Sequence, residues 1–168
     1  MVGAEHFYSQ ETPMTHIPST SNRPRQPGYE YICAEAYYVA IDTHQHLPLF
    51  EDVQLRMIVE RAWRALPDRF PAVRLDAWAV MPSHFRAVIW LNEPSTPMAF
   101  KPSIGTVVGS FKAFAAVQWA AWLRDVAPER PAEVWQHGFY EQFIRDAHQL
   151  TNVRRYIGTI PDSHINSV

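Results

Sequence analysis

Two apolar segments separated by a two-residue link constrain the fold of this chain more than any other feature. Residues 73–81 and 84–91 are rich in β-branched, aromatic and other apolar side chains, and Pro82-Ser83 stands between them. A link this short joins neighbouring antiparallel strands, so the two segments predict a β-hairpin. Any fold assigned to the chain therefore has to contain this hairpin.

The remaining segments alternate between strand-like and helix-like patterns. Strand-like segments are rich in aromatic and β-branched residues, and helix-like segments repeat apolar residues every three or four positions. The apolar stripe of the first helix includes Val53, that of the second includes Phe114, and Pro67 is expected to end the first helix. The predicted elements are, in order, strand 31–42, helix 50–66, strands 73–81 and 84–91, helix 103–124, strand 139–145, and a last helix from Asp146 or Ala147 to about Gly158.

This order of elements matches the split β-α-β pattern of ferredoxin-like folds with one extra C-terminal helix. We therefore predict an α+β domain over residues 29–160, in which a four-stranded antiparallel sheet carries helices on one face and an additional C-terminal helix. Residues 1–28 hold four of the fourteen prolines and lack apolar periodicity, which predicts a disordered tail. Residues 161–168 are expected to form a second, shorter tail.

Composition predicts a cytoplasmic globular protein of a single domain. The chain has 168 residues, of which 47% are apolar, and no apolar run approaches the ~20 residues that span a bilayer. We see no hydrophobic leader at the N-terminus. Cys33 is the only cysteine, which excludes an intramolecular disulfide and a multi-cysteine zinc site. The net charge of -2 gives no general basic surface, so an argument for nucleic-acid binding must rest on local residues.

Two blocks about fifty residues apart carry the strongest functional pattern. The first block is Met81-Pro82-Ser83-His84-Phe85-Arg86. The second runs from Trp135-Gln136 through Gly138-Phe139-Tyr140-Glu141 and Ile144-Arg145 to Arg154-Arg155-Tyr156-Ile157, and Gly109-Ser110-Phe111-Lys112 lies between the blocks. Over roughly residues 30–160, this pattern resembles the single-tyrosine HUH transposases, in particular the REP-associated tyrosine transposases.

The resemblance implies a function in DNA transposition. In that family a tyrosine on a C-terminal helix attacks a DNA phosphate and forms a 5′-phosphotyrosine link. A divalent metal ion is held by a His-x-His pair on a strand and by a third residue, four positions after the tyrosine. Carried onto this chain, the resemblance makes Tyr156 the nucleophile. It also implies Mg²⁺ or Mn²⁺ as the cofactor, single-stranded or hairpin DNA as the partner, and either a monomer or a homodimer.

The implied metal site departs from the family pattern at two of its three positions. His84 is retained, but Arg86 replaces the second histidine, and Ile160 stands four residues after Tyr156. Arginine stays protonated and cannot ligate a cation. In one interpretation, which these residues favour, metal-dependent nicking is lost and no cofactor is used. In the other, the Arg86 guanidinium takes over the charge of the metal and holds the phosphate.

Further side chains are candidates for the DNA contact or for the chemistry. Cationic residues expected at phosphates are Arg86, Lys112, Arg145, Arg154 and Arg155. The aromatic residues Trp135 and Phe139 are candidates for stacking on bases, although core packing is the favoured interpretation for both. Tyr140 is a rival nucleophile, but it matches a family position that is not the nucleophile. A second His-x-His, at residues 44–46, falls in a loop and supplies substitute metal ligands only if that loop folds over the site.

Three functions of different classes remain open from the sequence. They are an active single-strand DNA transposase or nickase, a catalytically inactive descendant that binds hairpin DNA, and an unrelated ferredoxin-like domain that assembles with protein partners. Arg86 and Ile160 favour the second function over the first, and the net charge of -2 favours the third.

Overall fold

The structure is a computed structural model, and it describes residues 34–93 and 101–160. The predicted tails, residues 1–28 and 161–168, and the first three residues of the predicted strand 31–42 lie outside these ranges. The regular elements are strands β1 (Ala34–Asp42), β2 (Val73–Met81), β3 (His84–Asn92) and β4 (Tyr140–Ile144), and helices α1 (Val53–Arg64), α2 (Leu66–Arg69), α3 (Ile104–Val126) and α4 (Ala147–Gly158).

The four strands form one antiparallel sheet in the order β2-β3-β1-β4. The predicted hairpin is β2–β3, with Met81 opposite His84 across the turn. β3 lies between β1 and β2, and β1 lies between β3 and β4, so the two β-α-β units interleave. This arrangement confirms the predicted ferredoxin-like α+β fold.

The sheet is covered on both faces. On one face, α1 and α3 enclose the larger core, in which the Trp63 ring centroid lies 4.8 Å from that of Phe85 and 5.2 Å from that of Phe111. On the other face, α4 contacts β2 and β3 and buries a smaller cluster. The buried members of that cluster, called the α4 cluster below, are Ala36, Ala77, Ala79, Val88, Trp90, Ile144 and Ile157. No helix in the described part of the chain is long and apolar enough to span a membrane.

Capping side chains define where the helices begin. The Asp52 carboxylate accepts hydrogen bonds from the first turn of α1, and the Ser103 hydroxyl accepts one from the first turn of α3. Asp146 Oδ1 accepts from the backbone N–H of Gln149 at 2.7 Å and starts α4 where the sequence predicts. These caps satisfy N–H groups that have no partner within the helix.

Four details of the predicted helices are wrong. Phe50, the predicted first residue of the first helix, lies in a separate 3₁₀ turn. Pro67, predicted to end that helix, lies in the first turn of α2, where a backbone N–H has no partner within the helix and its absence costs nothing. Val53 is 69% exposed because it is the first residue of α1, before the buried stripe begins. Phe114 is 42% exposed because its neighbour Ala115 continues the buried seam of α3, and adjacent helical residues point about 100° apart.

An irregularity in β2 puts two consecutive side chains on the α4 face. Leu75 pairs with Ile89, and the next pairing joins Trp78 to Ala87, so two residues oppose one on β3. Those two residues are Asp76 and Ala77. Ala77 belongs to the α4 cluster, and the Asp76 carboxylate is fully buried on the same side. A buried charge therefore lies beneath α4 at the bulge.

Candidate functional site

The two sequence blocks meet on the α4 face of the sheet. Alternation along β3 places His84 and Arg86 on the same side as Trp90, which belongs to the α4 cluster. Tyr156 lies on α4, which packs against that side. Residues far apart in the chain are therefore brought to one surface.

Tyr38 links the two blocks and was missed by the sequence analysis. It lies near the middle of β1, and its phenol interacts electrostatically with the Arg86 guanidinium and with Tyr156 and Tyr140. Burial raises the pKa of the Tyr38 phenol, and this effect outweighs the opposing charge of Arg86. One sequence signal could have identified Tyr38. On one face of β1, a single large residue stands between two small ones, in the pattern Ala36-x-Tyr38-x-Ala40.

Arg86 lies between two alanines of the neighbouring strands. Its partner on β1 is Ala40, its partner on β2 is Ala79, and both are buried. Their small side chains leave room above the sheet for the guanidinium. Arg86 Nε is buried without a hydrogen-bond partner among the described residues, so this donor has capacity for an additional acceptor.

His84 is held in its neutral form. It lies opposite Asp42 across β1–β3, and its Nδ1 is 3.1 Å from Ser83 Oγ. Burial and the positive charge of Arg86 lower the pKa of His84, and the carboxylate of Asp42 only partly offsets them. At neutral pH the imidazole can therefore accept a hydrogen bond but contributes no charge to the site.

Replacing Arg86 by glutamine is expected to raise the pKa of His84, because the guanidinium charge that disfavours the imidazolium is removed. An NMR titration of the imidazole carbon-bound protons would measure the change. Arg124→Gln, at an exposed position on α3, is the matched control and is expected to leave the titration unchanged. An unchanged or lower pKa in the Arg86 variant would contradict the assigned cause.

The residues present do not fit a divalent metal ion. Arg86 places a permanent cation next to His84, and Ile160, at the third implied ligand position, packs its aliphatic side chain against the α4 cluster. Within residues 34–93 and 101–160, no group of three His, Cys, Asp or Glu side chains is placed to hold a metal.

The second His-x-His lies at the same end of the sheet as His84 but does not complete a metal site. His44–His46 form a short 3₁₀ turn in which Gln45 and His46 have φ values of 52° and 55°, an uncommon conformation without glycine. His46 Nδ1 is 3.8 Å from Asp42 Oδ2, and a positive charge on His46 would further lower the pKa of His84. In the described part of the chain, these histidines join no group of three side chains that could hold a metal.

The two candidate nucleophiles are both accessible. Tyr156 is 50% exposed on α4, and Tyr140 is 45% exposed at the start of β4. The Tyr140 ring makes an edge contact with Tyr38 at a centroid distance of 6.2 Å, and its hydroxyl lies 3.5 Å from Gln142 Oε1. Three phenols therefore surround the Arg86 side of the sheet.

Arg154, two residues before Tyr156, is paired with Asp76. Arg154 Nε donates to Asp76 Oδ1 at 2.8 Å, and Nη2 donates to Oδ2. Asp76 also accepts from Trp90 Nε1 and from the Ala77 backbone N–H, each at 2.7 Å. Burial opposes the charge of the carboxylate, but the hydrogen bonds from Arg154, Trp90 and Ala77 hold the pKa of Asp76 below its usual range.

Sequence analysis also missed Asp76, although a signal was present. Asp76 is the single acidic residue within the apolar strand Val73–Met81. A carboxylate buried in a sheet needs charged or hydrogen-bonding partners, since an isolated charge is too costly there. A search for a cationic partner would have had to reach Arg154, 78 positions away.

Three of the predicted DNA-contacting residues, Lys112, Trp135 and Phe139, lie on the opposite face of the sheet. Lys112 Nζ donates to the backbone oxygens of Gln136 at 2.8 Å and Gly138 at 2.6 Å, and burial lowers the pKa of its amine. Trp135 packs against the α1–α3 core, and its Nε1 donates to the backbone oxygen of Lys112 at 3.0 Å. Both side chains hold the segment that leads into β4. Phe139 also packs against that core.

The other predicted cations border α4. Arg145 lies between β4 and α4, and Arg155 lies on α4 next to Tyr156; both are exposed. Arg155 Nη1 is 3.4 Å from Asn152 Oδ1, a long contact with a neutral group. Neither guanidinium has a carboxylate partner of the kind that Asp76 provides to Arg154 in the described structure.

Comparisons with known proteins agree with this architecture. No family model matches the chain. An uncharacterized protein from Haemophilus influenzae is 26% identical over 156 residues, which cover 79% of this chain and 83% of that protein. Among solved structures, a REP-associated tyrosine transposase bound to a REP hairpin superposes with a TM-score of 0.54 at 19% identity, covering 82% of this chain and 70% of the other. The chain therefore has the fold of a tyrosine transposase.

Proposed function

We propose that this protein binds single-stranded or hairpin DNA on the α4 face of its sheet, with a phosphate at Arg86 beside Tyr156. The observation that supports this proposal is the cluster of Arg86, Tyr38 and Tyr156, assembled from β3, β1 and α4. The similar structure, a REP-associated tyrosine transposase, is bound to a REP hairpin. DNA hairpins are therefore the first class of ligand to test.

Arg86 has the properties of a phosphate-binding residue. Its guanidinium is half-buried, lies over two small residues, and keeps one donor without a partner in the described structure. A planar guanidinium can give two parallel hydrogen bonds to a phosphate, and partial burial strengthens such charge-assisted bonds. Arg145 and Arg155 extend the cationic surface on the solvent side.

Because the residues do not fit a divalent metal, we propose that metal-assisted nicking has been lost and that DNA binding is the retained function. Arg86 itself supplies the positive charge at the phosphate. A cation there gives electrostatic binding but lacks the Lewis acidity of a metal ion. The protein is then a hairpin-binding relative of transposases rather than a transposase.

A second candidate function is nicking by Tyr156 without a metal, and the exposure of its phenol beside the Tyr38–Arg86 pair favours it. The phenol oxygen would form a bond to phosphorus, the bond from phosphorus to the 3′ oxygen would break, and the phenol proton would pass to that oxygen. Arg86 would stabilise the charge that develops on the phosphate. The product would be a 5′-phosphotyrosine and a free 3′ hydroxyl.

Binding of labelled hairpin DNA, followed by fluorescence anisotropy at several salt concentrations, tests the proposed function. Arg86→Gln is expected to weaken affinity about tenfold or more and to reduce the salt dependence by about one phosphate contact. Arg124→Gln, on α3 and paired only with exposed Asp125, is the control and is expected to bind as the unsubstituted protein does. If neither protein binds hairpin or single-stranded DNA, the α4 face serves another kind of partner and the proposal is wrong.

A further inference from the structure

We infer that the Asp76–Arg154 pair fixes the rotation of α4 about its own axis and so positions Tyr156 over Tyr38 and Arg86. Asp76 and Arg154 are then positioning residues, and Arg154 acts on the site through the helix rather than by touching DNA. The inference rests on the proposed role of the α4 face in binding. It concerns the geometry of the free protein and can be measured without DNA.

The geometry of α4 places Arg154 and Tyr156 on opposite flanks of the helix. Successive residues of an α-helix are rotated by about 100°, so these two side chains project about 160° apart in the shorter sense. Ile157, which is fully buried, faces the sheet between them, about 60° from Arg154 and about 100° from Tyr156. One flank of α4 therefore meets β2 at Asp76, and the other carries Tyr156, which interacts electrostatically with Tyr38 on β1.

The apolar contacts of α4 hold the helix on the sheet but fix its rotation weakly. Ile157 is buried, and Leu150, Val153 and Ile160 are only partly buried against the α4 cluster. Apolar burial is non-directional, so a modest roll of the helix would exchange one set of contacts for another. A paired guanidinium and carboxylate, in contrast, require a defined distance and plane. The directional restraint on α4 is therefore the contact between Arg154 and Asp76.

Asp76 is itself a rigid partner. It lies in the β2 bulge with no exposed surface, and its oxygens accept from the Ala77 N–H and from Trp90 Nε1 as well as from Arg154. The Trp90 indole is covered by the Arg74 guanidinium, 4.7 Å from the ring centroid. Because the Ala77 N–H and Trp90 Nε1 already fix the Asp76 carboxylate relative to the sheet, the ion pair with Arg154 fixes α4 relative to the sheet as well.

The pairing also changes the role of Arg154 from that predicted by the sequence. Both oxygens of a fully buried carboxylate are engaged by its guanidinium, so its charge is already matched. Arg155, the next residue, is exposed, and among residues 34–93 and 101–160 its side chain has only the long contact to Asn152. Of the two adjacent arginines, Arg155 is the phosphate-contact candidate and Arg154 is the residue that orients the helix.

A probe on Tyr156 itself tests the inference. With 3-fluorotyrosine incorporated at position 156, the ¹⁹F NMR resonance of the free protein reports the surroundings of that ring. Asp76→Asn and Arg154→Met are each expected to shift or broaden the resonance and to lower thermal stability. The double variant removes both charges and is expected to recover thermal stability, because replacing both members of a buried pair costs little. Its resonance is expected to remain displaced.

The double variant separates positioning from simple stabilisation. If its thermal stability and its ¹⁹F resonance both return to those of the unsubstituted protein, the pair only stabilises the fold and the inference is overturned. If the double variant does not fold, Arg154→Lys decides the question: it keeps the charge but loses the paired geometry, and an unchanged resonance would also overturn the inference. Asp52→Asn with Arg130→Met removes an ion pair on the α1 side and is the control expected to leave the resonance in place.

Hairpin affinity of the unsubstituted protein, measured alongside, distinguishes the two possible failures. A displaced resonance in a protein that binds no hairpin supports the restraint on α4 and rejects the proposed function. An unchanged resonance in a protein that binds hairpin DNA rejects the restraint and leaves the proposed function standing.

Discussion

Replacing Asp76 by alanine is expected to lower the free energy of unfolding by about 3 kcal/mol. The substitution leaves Trp90 Nε1 and the Ala77 N–H without their acceptor and leaves Arg154 without its counter-charge. The value lies at the low end for a broken buried pair, because the Arg154 side chain is 32% exposed and water can reach it. Urea denaturation with linear extrapolation would measure the loss.

An exposed acidic residue provides the control for this effect. Asp125→Ala removes an ion pair with Arg124 in which both side chains are about three-quarters exposed, and it is expected to change stability by under about 0.5 kcal/mol. A loss of under about 1 kcal/mol for Asp76→Ala would show that the buried carboxylate contributes no more than an ordinary hydrogen bond. The importance assigned to the pair would then be wrong.

The same carboxylate also gives the stability a predictable pH dependence. The pKa of Asp76 is lower in the folded protein than its unfolded value of about 3.9, so the folded state prefers the charged form. Its contribution is fully present above about pH 4 and is lost as the pH falls through the folded pKa. Urea midpoints measured from neutral pH downwards should therefore fall more steeply below about pH 4 in the unsubstituted protein than in Asp76→Asn.

Replacing Arg86 by histidine together with Ile160 by asparagine is expected to create Mn²⁺-dependent formation of a covalent DNA adduct. Histidine at position 86 would face the same side of β3 as His84, giving two imidazoles on one strand face. The substitution also removes the cation that opposes a metal ion. Labelled hairpin DNA and Mn²⁺, resolved on a denaturing gel, would reveal the adduct as a shifted band.

The band must depend on Tyr156 and on the metal. It is expected to disappear in the same protein carrying Tyr156→Phe and in the presence of a chelator. A doubly substituted protein that folds and binds the hairpin without forming an adduct would refute the view that only ligands were lost. A Tyr156-dependent band from the unsubstituted protein would instead favour metal-free nicking assisted by Arg86.

The fold was predictable from the sequence because its signals are local. Proline and serine between two apolar segments predict the β2–β3 hairpin, and Asp146 predicts the start of α4 to within one residue. The sheet face that α4 covers was not predictable, since an amphipathic pattern shows that a helix buries one side but not against which surface. The resemblance to tyrosine transposases makes Tyr156 a candidate nucleophile, and this role stays a prediction; in the structure Tyr156 interacts electrostatically with Tyr38.

The parts of the site that sequence reasoning missed depend on non-local geometry. Asp76 and Ala77 share the α4 face because of a bulge, and simple alternation along β2 does not reveal an extra residue. Lys112 and Trp135 are candidates for DNA contact in the sequence, and that role stays a prediction; their partners in the structure are backbone atoms more than twenty positions away. Composition gives no information about such pairings.

The α1–α3 core is larger than the α4 cluster, and this difference affects which substitutions the protein can tolerate during evolution. The layer between the sheet and helices α1 and α3 contains most of the buried side chains and does not include His84, Arg86 or Tyr156. Substitutions on the α4 side therefore leave the greater part of the fold's stabilising contacts untouched. A scaffold divided in this way can lose a metal ligand by drift and still fold, bind, and acquire a new use for the surface that remains.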